Sequence, residues 1–196
     1  MSLPNVITVR SFQLNNVSIG KKKSGVYTLL YNKKPFMLQS KKLNMYKKQI
    51  HNIQYDDEIN HQVLDIIIEL DEMYIILQQI DNLVKQYMIN HIDVYQALEK
   101  YTSLMRQTPD DTNILVYNNS HPSVYSNVNE ISYDQLNMDS KIVILINLSD
   151  IIITKTQIYV LNELLQIKSY DAEYHHINKC ILDSESDNEI VEDDIL

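Results

Sequence analysis

The sequence predicts an α+β fold in which strands come first, helices hold the middle and strands close the chain. Three observations carry this. Residues 5–50 are rich in β-branched and alternating positions, residues from Asp71 onward switch to helical spacing, and two long apolar runs end the body of the chain. A length of 196 residues with 44% hydrophobic side chains suits one domain with a sizeable core. We expect that domain over residues 1–180, with a helical insertion at about 71–106 and an acidic tail over 181–196.

In chain order, Val6, Thr8 and Arg10 alternate with Ile7, Val9 and Ser11, which predicts an opening strand. Gly20 and Gly25 bracket Lys21-Lys22-Lys23 and mark a turn. Val26 to Tyr31 reads as a strand, Asn32-Lys33-Lys34-Pro35 as a tight turn, and Phe36 to Gln39 as the returning strand of a hairpin. Leu64, Ile66, Ile68 and Leu70 alternate with Asp65, Ile67 and Glu69, favouring a strand there. Met73, Ile76, Leu77, Ile80, Leu83, Val84 and Tyr87 then follow helical spacing, with Asp71 as N-cap. A second helix is expected from Asp93 to Arg106, ended by Thr108-Pro109-Asp110-Asp111. Asn113 to Tyr117 and Pro122 to Val128 are short strand candidates. Lys141 to Ile153 and Gln157 to Tyr170 are long strands joined through Thr154-Lys155-Thr156 as a hairpin.

Charge is the most informative feature. The formal net charge is -9, yet the first fifty residues hold Arg10, Lys21, Lys22, Lys23, Lys33, Lys34, Lys41, Lys42, Lys47 and Lys48 and no acid. All 26 acidic residues lie beyond them. Screening confines each charge to about 8 Å at physiological salt, so a concentrated basic patch attracts phosphates whatever the whole chain sums to. The plain alternative is a solubilising lysine-rich face. Asp183, Glu185, Asp187, Glu189, Glu192, Asp193 and Asp194 crowd the end of the chain without a base, which predicts a disordered tail finishing in Ile195-Leu196. The scarcity of Gly and absence of Trp beside abundant Asn, Ile, Tyr and Lys point to an AT-rich genome.

Several chemistries find no support. His175, His176 and Cys180 are close in sequence but lack a second cluster to complete four ligands, so no metal is expected. Two glycines cannot build a P-loop or a dinucleotide turn, and no nucleophile elbow is present. Asp65, Glu69, Asp71 and Glu72 are explained by a strand end followed by an acidic first helical turn. No catalytic set and no cofactor are expected. A lone cysteine, no signal-like start and apolar runs too short to span a bilayer predict a soluble intracellular protein without a membrane partner. Phe12, Tyr27, Tyr31, Phe36 and Tyr46 interleave with the lysines, as in single-strand binders that pair a basic groove with ring faces for the bases. Each ring taken alone is better explained as a core or half-core aromatic. Lysine in place of arginine favours phosphate contact over base readout.

The order of segments resembles the single-stranded DNA-binding-type proteins of large nucleocytoplasmic DNA viruses, related to the OB-fold single-strand-binding proteins of phage replication. The matching stretches are Ile7-Thr8-Val9-Arg10-Ser11-Phe12, Gly25 to Tyr31, Lys34-Pro35-Phe36-Met37-Leu38-Gln39-Ser40, Leu77-Gln78-Gln79-Ile80-Asp81, Lys141 to Ser149 and Leu164 to Lys168. Lys41-Lys42-Leu43-Asn44 stands where the family has a Pro-Phe-Gly-like turn, and Asn162 and Tyr159 stand at its Trp and Gly positions. The resemblance implies an OB-fold-like antiparallel β-barrel or sheet with an inserted two-helix segment. It implies a sequence-independent single-stranded DNA-binding protein of viral replication, recombination or repair, with RNA as a second possible ligand and a homo-oligomer as one assembly. Phosphates would meet Arg10, Lys21, Lys22, Lys23, Lys33, Lys34, Lys41, Lys42, Lys47 and Lys48, and bases some of Tyr27, Tyr31, Phe36 and Tyr46. The tail residues Glu192, Asp193, Asp194, Ile195 and Leu196 would recruit replication proteins and compete with DNA. Host cytoplasm, a viral replication site or the virion would be its place. The alternative is a virion or structural module that keeps the fold and binds another protein.

Overall fold

The computed structural model describes residues 5–21, 26–45, 48–55, 59–68, 72–91, 99–107, 113–117, 122–126, 129–132, 135–136 and 140–170. The strands are β1 (Val6–Thr8), β2 (Val17–Lys21), β3 (Tyr27–Tyr31), β4 (Phe36–Gln39), β5 (Leu43–Asn44), β6 (Lys48–Tyr55) and β7 (Ile59–Ile68). After helix α1 (Glu72–His91) come β8 (Met105–Gln107), β9 (Asn113–Tyr117), β10 (Ser123–Ser126), β11 (Asn129–Ile131), β12 (Lys141–Ile153) and β13 (Ile158–Ser169). The described residues are thus mostly strand, in two open sheets, with α1 as the one long helix.

The spine is the antiparallel ribbon of β12 and β13. Thr154 closes its tip: its backbone N–H donates to the Gln157 carbonyl at 2.8 Å, and its hydroxyl accepts the Gln157 N–H at 2.9 Å. The unbroken apolar run from Ile142 to Ile146 is buried on both faces of the sheet, the situation that removes the usual apolar-polar alternation. On the core face Ile142, Ile144, Ile146 and Leu148 join Leu38, Phe36, Ile167 and Leu164, while Val143 and Leu145 pack on the reverse face with Val6, Met37 and Tyr170. Register shifts after Leu145 and after Leu148 bend the ribbon.

The free edge of β12 is occupied by three successive pieces of the N-terminal segment. Tyr27 and Thr28 of β3 pair with Ile151 and Asp150, Phe36 to Gln39 of β4 with Leu148 to Leu145, and Leu43 and Asn44 of β5 with Ile142 and Lys141. The Ser40 hydroxyl accepts the Ile144 N–H at 2.9 Å and bridges the gap between β4 and β5. The predicted hairpin over 26–39 is therefore corrected. Its turn is real, with Asn32 and Lys33 at φ 50 and 63° and a bridge between Tyr31 and Lys34. The two strands do not pair along their lengths, because both take backbone partners from β12 and each has another neighbour outside, β2 for β3 and a parallel β1 for β4. Parallel pairing of β10 with β13 likewise departs from an all-antiparallel barrel, and the sheet path β1-β4-β12-β13-β10-β11 does not close.

Two further expectations change. The opening strand stops at Thr8, and Val9–Ser11 turns into a 3-10 helix in which the Ser11 hydroxyl donates to the Thr8 carbonyl at 3.1 Å. The second helix does not reach Arg106: Tyr101 is already bridged to Ile158 and Met105–Gln107 is a strand, so only Glu99 and Lys100 of its described residues are helical. Asp71 lies outside the described residues. The strand expected at 61–70 is found as β7, the middle of a second sheet in the order β6-β7-β9-β8.

Helix α1 forms where the spacing placed it. Met73, Ile76, Leu77, Ile80, Val84 and Met88 make one buried stripe that joins the core under β3, β4 and β12. Its midpoint is clamped to the following connection. The Asp81 carboxylate accepts the Tyr101 and Ser103 hydroxyls at 2.5 Å each and the Leu104 N–H at 3.1 Å. Burial first, then the charge of Asp81 and the hydrogen bond to it, keep the Tyr101 hydroxyl protonated far above the ordinary tyrosine range.

Candidate nucleic-acid interface

The pairing of β3, β4 and β5 with one edge of β12 brings three pieces of the acid-free segment to that edge in succession. From Ile151 to Lys141 that edge is about 30 Å long at the rise of an extended strand. Lys21 lies at the Ile151 end, exposed, at the end of β2 opposite Tyr27. Lys33 and Lys34 are exposed on the turn between β3 and β4, where the positive φ of Asn32 and Lys33 holds the turn out from the sheet. Lys41 and Lys42 are half-exposed between β4 and β5, at the Lys141 end. Arg10 is exposed in the 3-10 turn that follows β1, on the other side of β4. Asp150 sits at the Lys21 end, where its carboxylate accepts the Thr28 hydroxyl at 2.7 Å. Lys22, Lys23, Tyr46, Lys47 and the tail residues Glu192, Asp193, Asp194, Ile195 and Leu196 lie outside the described residues, as does the Lys48 side chain, although its backbone starts β6.

The rings behave otherwise. Tyr27, Tyr31 and Phe36 are 8%, 4% and 1% exposed, so none presents a face to solvent and the stacking role read for them is corrected. The alternation that puts Tyr27, Leu29 and Tyr31 on one side of β3 points that side into the core. Tyr31 stands between Phe12 and Phe36, with ring centroids 5.7 and 5.6 Å away. Its hydroxyl accepts the Gln13 N–H at 3.1 Å and the Asn16 amide at 3.2 Å and donates to the Ser11 carbonyl at 3.3 Å. A buried tyrosine hydroxyl satisfied three times over is a structural anchor for the 3-10 turns.

Two ring-and-cation groups were missed in the sequence. At the Lys141 end, Tyr170 carries the Lys42 ammonium 4.2 Å from its ring centroid and the Lys168 ammonium at 5.1 Å. Each such contact contributes on the order of 0.5–2 kcal/mol, and together they gather two cations on one ring. The Tyr170 N–H donates to the Lys141 carbonyl at 3.1 Å, so a third lysine is its backbone neighbour. The only local signal was Lys168 and Tyr170 sharing one side of a strand at i and i+2. At the Lys21 end, the Lys21 ammonium is 5.8 Å from the Tyr27 ring, and Tyr27 meets Tyr87 of α1 edge-on at 5.8 Å. Among the described residues no group of three histidine, cysteine, aspartate or glutamate side chains is placed to hold a metal ion, and no described helix is long and apolar enough to cross a membrane.

Among solved structures, the chain is similar to the single-stranded DNA-binding protein from bacteriophage Enc34 in complex with ssDNA. The TM-score is 0.47 at 11% identity, covering 81% of this chain and 97% of that one. The C-terminal truncation of that phage protein gives 0.48 at 12% identity, covering 82% and 97%. No protein-family model matches the chain, and no curated protein sequence does.

Proposed function

We propose that the chain is a non-enzymatic protein that binds single-stranded DNA without sequence preference. What supports this reading is that β3, β4 and β5, which pair with one edge of β12, come from a stretch of sequence that holds no acid, and that Lys21, Lys33, Lys34, Lys41 and Lys42 beside those strands keep at least part of their surface exposed. Flexible ammonium groups in a row suit the phosphates of a strand and leave the bases unread. Lys141, exposed beside Tyr170, adds a further cation at that end. We place its work in viral DNA replication, recombination or repair, as a divergent relative of the viral proteins it resembles, with the acidic tail competing for the same row and recruiting replication proteins.

The test is a titration of labelled oligo-dT and of duplex DNA over a range of salt. Affinity for the single strand should fall steeply with salt, by about 0.7 in logarithmic slope for each phosphate neutralised. The double variant Lys33→Glu, Lys34→Glu should bind more weakly and lose about 1.4 of that slope. Removing residues 183–196 should tighten binding. Failure of a long oligonucleotide to bind at low salt rejects the proposal. It would favour the second reading, a virion or structural module for another protein, which the burial of Tyr27, Tyr31 and Phe36 supports.

A further inference from the structure

With the three tyrosine and phenylalanine faces of the N-terminal strands closed, a single strand on the lysine row needs another flat surface for its bases. The C-terminal end of α1 supplies one. His91 is exposed, and its ring stacks on Tyr87 with centroids 3.9 Å apart and planes 12° from parallel. Its Nδ1 hydrogen-bonds the Tyr87 carbonyl at 2.7 Å, with Nδ1–H as donor because a carbonyl can only accept. The imidazole plane is therefore fixed before any ligand arrives. Tyr87 in turn is half-buried and rests edge-on against the buried Tyr27, on the strand whose partner residue is Lys21. The stack is rooted in the core, ends in an exposed ring, and has an exposed ammonium beside its root.

The geometry points to the outer face of His91 as a stacking site for a nucleobase of the bound strand, with Lys21 taking an adjacent phosphate. This rests on the single-stranded DNA reading and adds to it the place where a base lands. A preoriented ring loses little rotamer freedom on contact, so the stacking energy is not spent on ordering it. Every base has a π-face, so the contact is tolerant of sequence. The carbonyl groups that end a helix repel anions, which favours the base over its phosphate at this spot.

The chain has no tryptophan, so His91→Trp introduces a single indole reporter. Titrated with oligo-dT, this variant should keep near-parental affinity and lose most of its indole fluorescence at saturation. His91→Phe should also bind as the parent does. His91→Ala and His91→Lys should bind about five-fold or more weakly, since a stacked base is worth about 1–3 kcal/mol. The lysine variant keeps a cation and removes only the ring. Circular dichroism of each variant checks that α1 is intact. An indole that stays bright on a saturated complex, or parental affinity in both ring-less variants, overturns the site while leaving the DNA-binding reading standing. Loss of binding in the parent protein itself overturns both.

Discussion

Replacing Asp81 with alanine should be among the most damaging polar substitutions in the described residues. One carboxylate there satisfies two hydroxyls and one backbone N–H across separations of 20, 22 and 23 residues. Hydrogen bonds to a charged acceptor are worth about 1.5–3 kcal/mol each when sheltered, and less in solvent. The Tyr101 and Leu104 bonds are partly buried and the Ser103 bond is exposed, so the loss should be about 2–4 kcal/mol. The Leu104 N–H would also lose its acceptor, while the Tyr101 hydroxyl would keep only the longer bond, 3.4 Å, to the backbone carbonyl of residue 81. Against a total stability of about 5–15 kcal/mol this is a large fraction. Urea unfolding followed by far-UV circular dichroism measures it as a shifted midpoint at unchanged slope. Asp81→Asn keeps one carbonyl oxygen and should recover about half of the loss. A midpoint for Asp81→Ala within about 0.5 kcal/mol of the parent would refute the assignment of Asp81 as the clamp, because surface changes commonly fall in that range.

The same cluster predicts an alkaline limit. The Tyr101 hydroxyl is neutral when folded to far higher pH than when unfolded, where it ionises near pH 10. Above that pH the unfolded chain holds fewer protons, so stability should fall by up to about 1.4 kcal/mol per pH unit, and below it the group contributes no slope. Tyr101→Phe should be flatter than the parent above pH 10 in unfolding midpoints. At the β3–β4 turn, Asn32 and Lys33 both hold positive φ, which glycine tolerates best at the second position. Lys33→Gly should raise stability by about 0.5–1 kcal/mol in urea while weakening DNA binding slightly, and a loss of stability would contradict the turn geometry.

What the sequence revealed was local. The Lys141–Ile153 and Ile158–Ser169 strands were legible because apolar β-branched runs are punctuated by Thr154-Lys155-Thr156, whose hydroxyl then makes the turn. Helix α1 was legible from Met73 to Tyr87 because its stripe is uninterrupted. The turn at Asn32-Lys33 was legible too, but the partners of its strands were not, since they lie more than a hundred residues away on β12. The helix expected over 93–106 was overridden beyond Lys100 by the bridge from Tyr101 to Ile158 and by the Asp81 clamp, neither visible in local spacing. The acid-free stretch was legible as a run of charge, yet where its described lysines fall depends on the β12 register. Tyr27, Leu29 and Tyr31 shared a side in the sequence as they do in the fold. Only tertiary packing decided that this side is closed to ligands. In the grouping on Tyr170, Lys168 was within local reach at i and i+2, but Lys42 comes from more than a hundred residues away and leaves no sequence signature.

Because β12 is the common partner of three stretches that precede it by about a hundred residues, the pairing of residues 27–44 cannot be completed until residues 141–153 have been synthesised. At about 5–20 residues per second, a ribosome takes on the order of 5–20 s to cover that gap. Throughout that interval the lysine-rich segment emerges with the edges of β3, β4 and β5 that face β12 unpaired, a polycation beside ribosomal RNA. The charge of that segment is therefore presented to its surroundings well before the strand that organises it exists.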